Sequence, residues 1–433
     1  MAKTYNSYKD SGVEWIGEIP EGWEVLALKR IFKIIAGATP KSENEAYWDG
    51  DIAWITPADY KTEQKYVSFG RRNLSEQGYH ACTTVLLPKG SIVFSKRAPI
   101  GLVAITEREL CTNQGCLGCV PIRDVSNVFM YYLLSVYTEQ FELYGSGTTF
   151  KEISANNFAN FKLMLPPLSE QQSIASFLDT KCGEIDSLIS LQEEMISELQ
   201  AYKQSVITEA VTKGLDPNAK MKDSGVEWIG EIPEGWKVSP LKYIIKGHLQ
   251  YGANESGVLY EEGLPRYVRI TDILDNKLRE DIQKQSLTEQ QAEGFILKNN
   301  DILFARSGGT VGKSFIYKSE YGRCAFAGYL IKASINDDND AEFVYFFTQS
   351  SAYDEWKRRI FIQATIQNIG ADKYSQLEIP LPFKEMQTKI VSFLKDKTSQ
   401  IDSLISLKQQ KIDELKSYKK SIIYEYVTGK KRV

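Results

Sequence analysis

Fifteen consecutive residues occur twice in this chain. The run Lys9-Asp10-Ser11-Gly12-Val13-Glu14-Trp15-Ile16-Gly17-Glu18-Ile19-Pro20-Glu21-Gly22-Trp23 returns letter for letter from Lys222 to Trp236. A match of this length excludes coincidence, and an internal repeat constrains architecture before any single motif does. A second pair follows: Ile185-Asp186-Ser187-Leu188-Ile189-Ser190-Leu191 recurs from Ile401 to Leu407. Ser176-Phe177-Leu178, Tyr202-Lys203 and Val211-Thr212 match Ser392-Phe393-Leu394, Tyr418-Lys419 and Val427-Thr428. The offsets are 213 residues for the first pair and 216 for the second, so the two halves are nearly equal in length. Between the shared stretches, residues 24–162 and 237–376 have diverged. Their faint common marks are Ser91–Lys96 against Asp301–Arg306, Thr149–Ile153 against Thr365–Ile369, and Leu165-Pro166-Pro167 against Leu381-Pro382-Phe383. Such a chain has two equivalent scaffolding parts and two different working parts.

The shared stretches that follow the proline steps predict long helices. Leu168-Ser169-Glu170-Gln171 suits a helix start, with Ser169 as the cap. From there to about Val211 no proline intervenes. Ile174, Leu178, Ile185, Leu188, Met195, Leu199, Tyr202 and Val206 follow a three/four spacing, as do Ile390, Leu394, Ile401, Leu404, Ile412, Leu415, Tyr418 and Ile422. This is a coiled-coil seam, interrupted at Lys181, Gln192, Lys397 and Lys408. Each helix of about 40 residues is roughly 60 Å long and cannot bury its stripe alone. The simplest expectation is that the two pair with each other; packing of each on its own domain is the alternative. In the diverged segments Ile52–Ile55, Ser91–Phe94 and Leu102–Ile105 read as strands and Val128–Tyr144 as a helix. The expected fold is α+β: two pseudo-repeated globular domains (1–162 and 214–376) joined by two long helices (163–213 and 377–433) forming an antiparallel coiled-coil spacer.

Charge limits the function classes. The net charge of −4 argues against a simple basic nucleic-acid binder. Residues 24–162 hold 15 Lys/Arg against 14 Asp/Glu, and residues 237–376 hold 18 of each, so binding of a polyanion requires local patches or partner subunits. Six cysteines among 433 residues are too few for a disulfide scaffold and fit a reducing cytoplasm. The first residues lack a signal-peptide core, and no apolar run reaches membrane-spanning length.

Enzyme motifs are incomplete. Gly308-Gly309-Thr310-Val311-Gly312-Lys313-Ser314 approaches a phosphate-binding P-loop, but the required first glycine falls on Ser307. Cys116-x-x-Cys119 has a zinc-like spacing with Cys111 nearby. A structural zinc wants four ligands, and only His80, Cys82 and the remote His248 are candidates to add, so buried thiols are the simpler reading. Two histidines make triad chemistry improbable. No Asn/Asp-Pro-Pro-aromatic motif of an adenine methyltransferase is present. Asp59 with Glu63-Gln64-Lys65 has too short a spacing for a nuclease.

What remains is polar and cationic loop material. In the first half the candidate DNA contacts are Thr39, Lys41 and Ser42, then Lys96 and Arg97 directly after a strand, then Thr148, Thr149 and Lys151. In the second half they are Arg269, then Arg306, Ser307 and Lys313 in the glycine-rich loop, then Arg358, Arg359, Gln363 and Gln367. Lys, Arg, Ser and Thr suit phosphate oxygens, while Arg and Gln also address base edges. Solvated surface is the competing reading for each alone; matched positions in two halves favour function.

The ensemble resembles the specificity subunit of type I restriction–modification systems. The residues that carry the resemblance are Ile19-Pro20-Glu21-Gly22-Trp23 and its copy Ile232–Trp236, Gly37-Ala38-Thr39-Pro40, Tyr47-Trp48-Asp49-Gly50-Asp51-Ile52-Ala53-Trp54-Ile55-Thr56, and Leu165-Pro166-Pro167-Leu168-Ser169-Glu170-Gln171-Gln172 running into a long helix. The second half departs from the pattern: Leu381-Pro382-Phe383-Lys384-Glu385-Met386-Gln387 replaces the second proline and the Glu-Gln, and Gly247–Gly252 lacks Gly-x-Thr-Pro. The resemblance implies that each diverged segment reads one half of a split, asymmetric site on double-stranded DNA. It implies that the paired helices fix the gap and dock methyltransferase subunits, and that ATP-dependent motor-nuclease subunits join for cleavage. S-adenosylmethionine, ATP and Mg would then sit on the partners, with no cofactor on this non-catalytic, cytoplasmic chain and no membrane association. Two weak readers on one spacer gain from effective concentration, so neither needs a strongly basic face. Half-sites read from one face lie about one helical turn apart. A duplicated protein-interaction scaffold without DNA specificity is the alternative.

Overall fold

A computed structural model describes residues 4–61, 63–145, 151–274, 276–362 and 368–433. The chain divides into two compact units, Met1–Gln192 with Gln410–Val433, and Glu193–Gln409. Each unit therefore takes one part of each long helix, Leu168–Lys213 and Lys384–Val427.

The fifteen-residue copies fold alike. Tyr8–Asp10 pairs with Glu18–Pro20, placing Lys9 opposite Ile19, and Met221–Asp223 pairs with Glu231–Pro233, placing Lys222 opposite Ile232. After each copy a strand closes its domain by pairing with the strand before the long helix: Glu24–Ala27 with Lys162–Leu165, and Lys237–Pro240 with Glu378–Leu381. In the first unit a five-stranded sheet runs in the order Phe32–Ala36, Cys116–Pro121, Ile92–Ser95, Val103–Thr106, Tyr66–Val67, beside a three-stranded sheet built on Trp48–Ile55. In the second unit a four-stranded sheet runs Gln250–Tyr251, Leu330–Ala333, Ile302–Ala305, Ser314–Ile316, beside another containing Arg266–Val268. Ile92, Val93 and Phe94, like Ile302, Leu303 and Phe304, are buried on both faces, which is why these strands read as unbroken apolar runs. Phe94 meets Phe158 at 4.3 Å between ring centroids, and Phe304 meets Tyr374 at 4.6 Å, so the same aromatic pair centres both cores.

Three local expectations shift. Helix Leu168–Lys213 begins before Ser169, and the Pro167 carbonyl accepts the amides of Glu170 and Gln171, so Ser169 is not the cap. Val128–Tyr144 is two helices, Asn127–Ser135 and Thr138–Leu143. The break at Tyr137 lays its buried ring on Trp15 at 5.0 Å. The seam also changes phase: Ile174, Leu178, Cys182, Ile185 and Ile189 are buried, whereas Leu188 is 47% exposed and Leu404 46%. Ile189 continues the four-residue row that a straight helix keeps on one face, and Leu188 falls outside it. Tyr202 and Tyr418 are likewise exposed.

Within the first unit the helices run antiparallel. Phe177 meets Tyr426 at 4.5 Å, and Lys419 Nζ donates to Asp186 Oδ1 at 2.6 Å. Within the second unit Lys203 Nζ donates to Asp402 Oδ1 at 2.7 Å. These are the same two repeat positions with their roles exchanged, as a duplicated helix pair requires.

Candidate nucleic-acid interface

Thr39, Lys96, Arg97, Arg306 and Ser307 gather around one backbone frame that occurs in both halves. In the first, the strand Ile92–Ser95 delivers Lys96. The Lys96 amide donates to Gly115 O at 2.9 Å, and its carbonyl accepts from the Ile153 amide at 3.0 Å. In the second, Ile302–Ala305 delivers Arg306. Its amide donates to Tyr329 O at 3.1 Å, and its carbonyl accepts from the Ile369 amide at 2.8 Å. Lys96 and Arg306 are thus equivalent, each held between a loop and the segment leading into a short helix.

A second loop completes the frame. The Ala38 amide donates to Thr112 O at 3.0 Å, and the Ala253 amide donates to Phe326 O at 2.9 Å. The carbonyls of the same residues are also fixed alike, Ala38 O by Trp54 Nε1 at 3.1 Å and Ala253 O by the Tyr267 hydroxyl at 2.8 Å. Gly37 and Gly252 precede them because the backbones nearly touch: a Cβ would lie 2.2 Å from Asn113 O at the first and 2.3 Å from Ala327 O at the second. Gly252 therefore takes the place of Gly37, and Asn254 that of Thr39, although Gly-x-Thr-Pro is not spelled out in the second half. Thr39 donates its hydroxyl to Gln114 Oε1. The position of Gln114 is Gly328 in the second half, where a Cβ would lie 2.1 Å from Asn254 Oδ1.

On this common frame the charges are arranged differently. Glu152 takes both first-half cations, Lys96 Nζ at 2.8 Å and Arg97 Nε at 2.8 Å. Lys96 foremost, then Arg97, holds the Glu152 carboxyl below its ordinary value. The equivalent of Glu152 is Asn368, whose backbone bridges Ser307. Among the described residues Arg306 consequently has no ion pair and its buried Nε has no hydrogen-bond partner; its guanidinium lies 4.9 Å from the centroid of the Tyr251 ring.

Of the remaining candidates, Lys41, Ser42, Lys151 and Lys313 are exposed on loops. Arg269 is bound to the buried Asp272, whose Oδ1 its Nη2 reaches at 2.8 Å. Arg358 and Arg359 lie on the helix Ser351–Ile362, where each is taken by a carboxylate. Glu355 binds Arg358 at 2.7 Å, and Glu227 binds Arg359 at 2.8 Å, fastening this helix to the second copy of the repeat. Thr148, Thr149, Gln363 and Gln367 lie outside the described residues. Glu152, Tyr251, Gln114 and Asn254 were not among the sequence candidates; the Gly-Ala pairs at 37–38 and 252–253 are the signal that marks the shared frame.

The glycine-rich run 308–312 joins two antiparallel strands, Ile302–Ala305 and Ser314–Ile316, whereas a P-loop leads into a helix. Cys111, Cys116 and Cys119 are buried free thiols, and burial pushes those of Cys111 and Cys116 up to about 12. No helix among the described residues is long and apolar enough to cross a membrane.

The family described as the type I restriction modification DNA specificity domain matches residues 20–201 and again 233–417. The chain belongs to this family. As a type I specificity subunit it carries two DNA specificity domains. It is 31% identical over 308 residues to the type I restriction enzyme MjaIX specificity subunit of Methanocaldococcus jannaschii, covering 68% of each chain. It is 23% identical over 399 residues to the EcoKI specificity subunit of Escherichia coli strain K12, covering 87% of this chain and 82% of that one. A solved chain from work on complex assembly and conformational transition of the type I R-M system superposes with a TM-score of 0.72 at 17% identity, covering 94% of this chain and 98% of that one. That likeness shows the common α+β fold with its long helices.

Proposed function

We propose that this specificity subunit reads a split, asymmetric DNA site, one half-site per domain, and positions adenine methyltransferase and ATP-dependent restriction subunits on it. The reading domains lie within residues 1–162 and 214–376, and the spacer helices within 163–213 and 377–433. One observation carries the reading: the frame around Lys96 recurs around Arg306 while the side chains it presents differ. A duplicated frame with unlike side chains suits a target with two unlike halves. A scaffold for identical partners would have no use for the difference. In this reading Thr39, Lys41, Ser42 and Lys151 meet DNA from the first domain, and Ser307 and Lys313 from the second. The chain catalyses nothing itself and works in the cytoplasm, while S-adenosylmethionine, ATP and Mg belong to the partner subunits.

The test is single-molecule sequencing of adenine methylation in cells that express this chain with its methyltransferase partner. The expected result is a split motif with two unlike halves that disappears when this chain is deleted. Methylation that persists unchanged after deletion, in a complex that still assembles, removes the specificity role and favours a protein scaffold.

A further inference from the structure

Seven arginines lie between Glu193 and Gln409. Six of them face a carboxylate within ion-pairing distance. Arg306 is the exception among the described residues. A buried N–H left without a partner is costly, and native proteins leave few of them; those that persist call for an explanation such as a ligand. Nor is the side chain loose. Its guanidinium rests on Tyr251, whose hydroxyl oxygen accepts from the Ala371 amide at 2.9 Å and so fixes the ring. The loop that begins at Arg306 is pinned at its far end, where the buried Tyr353 hydroxyl donates to Gly312 O at 2.8 Å. A cation held in one place by an aromatic face and a clamped loop is preorganised for a partner from outside the chain.

We infer that Arg306 is a specificity-determining residue of the second domain and takes the O6 and N7 edge of a guanine in its half-site. This rests on the DNA-reading role proposed above. With Nε buried, the two terminal nitrogens form the available fork, and that spacing matches two acceptors in one plane. A backbone phosphate can also take a planar guanidinium bidentately, so the lysine variant and the salt dependence of binding separate the two targets. At the equivalent position of the first domain Lys96 is instead paired with Glu152, which also takes Arg97.

The experiment uses the full complex with its methyltransferase subunits. Its readouts are methylation-motif sequencing and competition binding against duplexes altered at each position of the site. The wild-type motif should contain a guanine in the half-site of the second domain. Both R306A and R306K should lose discrimination at that one position, roughly ten- to hundred-fold, and leave the other half-site intact. A motif without guanine in that half-site overturns the inference, as does an unchanged motif in R306A. If R306K keeps the full motif while R306A weakens binding uniformly with a shallower salt dependence, the contact is to phosphate and the guanine assignment fails. If both variants lose both half-sites together with thermal stability, Arg306 is structural and the inference fails. A wild-type complex that methylates no split motif sinks the DNA-reading role itself, an outcome distinct from all of these.

Discussion

The loop after Ser95 and the loop after Ala305 hang on the same hydrogen-bond frame, yet they hold their cations in different ways. In the first, Glu152 pairs with both Lys96 and Arg97, so neither cation stands without a carboxylate, although one carboxylate leaves a net single positive charge. In the second, Asn368 stands where the carboxylate would be, and among the described residues Arg306 meets an aromatic ring and no carboxylate. The carboxyl of Glu152, held below its ordinary value by Lys96 and then Arg97, contributes stability above the usual glutamate range and loses it as pH falls through the lowered value. The clamp therefore stays closed across the neutral range. A duplicated fold can thus keep its backbone geometry while single side-chain changes decide whether a cation in each copy is paired with a carboxylate.

The largest way to break this comparison is to exchange one side of it. Replacing residues 24–162 with the corresponding segment of another family member is expected to rewrite one half-site completely and leave the other untouched in methylation sequencing. A change in both half-sites ends the modular account. Next comes the shared aromatic pair. Phe158→Ala and Tyr374→Ala each remove a fully buried ring and should cost about 3–5 kcal/mol, read as a lower urea midpoint. Equal losses support equal cores; Tyr374→Phe should cost only about 1 kcal/mol, since it deletes the hydroxyl that donates to Ala305 O.

A subtler change converts one loop toward the other. E152Q releases Lys96 and Arg97, and the log–log salt dependence of DNA binding should steepen by about one unit for each cation that then meets a phosphate. No change in slope means that the pair does not face DNA. The smallest effect is expected at the helix pair. D186A and D402A remove equivalent exposed bridges to Lys419 and Lys203, and each should cost less than about 1 kcal/mol and still less at high salt. Unequal costs would show that the two copies of the seam have drifted apart.

Much was legible because repetition is visible without coordinates. The identical runs, their offsets and the proline step before each long helix carry the duplicated α+β architecture. The unbroken apolar runs Ile92–Phe94 and Ile302–Phe304 mark the central strands. The seam was legible in period but not in phase: Leu188 and Ile189 are both apolar, and only packing decides which of two neighbours faces inward. The candidate interface was legible as a set of loops, not as a set of free charges. Arg269, Arg358 and Arg359 look like available cations in the sequence, but the fold gives each a carboxylate.

The sequence by itself determined the duplication, the order of domains and helices, and the family, since these depend on identity and spacing along the chain. The tertiary structure alone decided that Gly252 stands for Gly37 under a different spelling, that Glu152 closes on Lys96 and Arg97, and that Arg306 meets no carboxylate among the described residues. Those outcomes depend on which groups, far apart in sequence, come within a few ångströms of each other, and charge pairing acts over that distance and not over residue number.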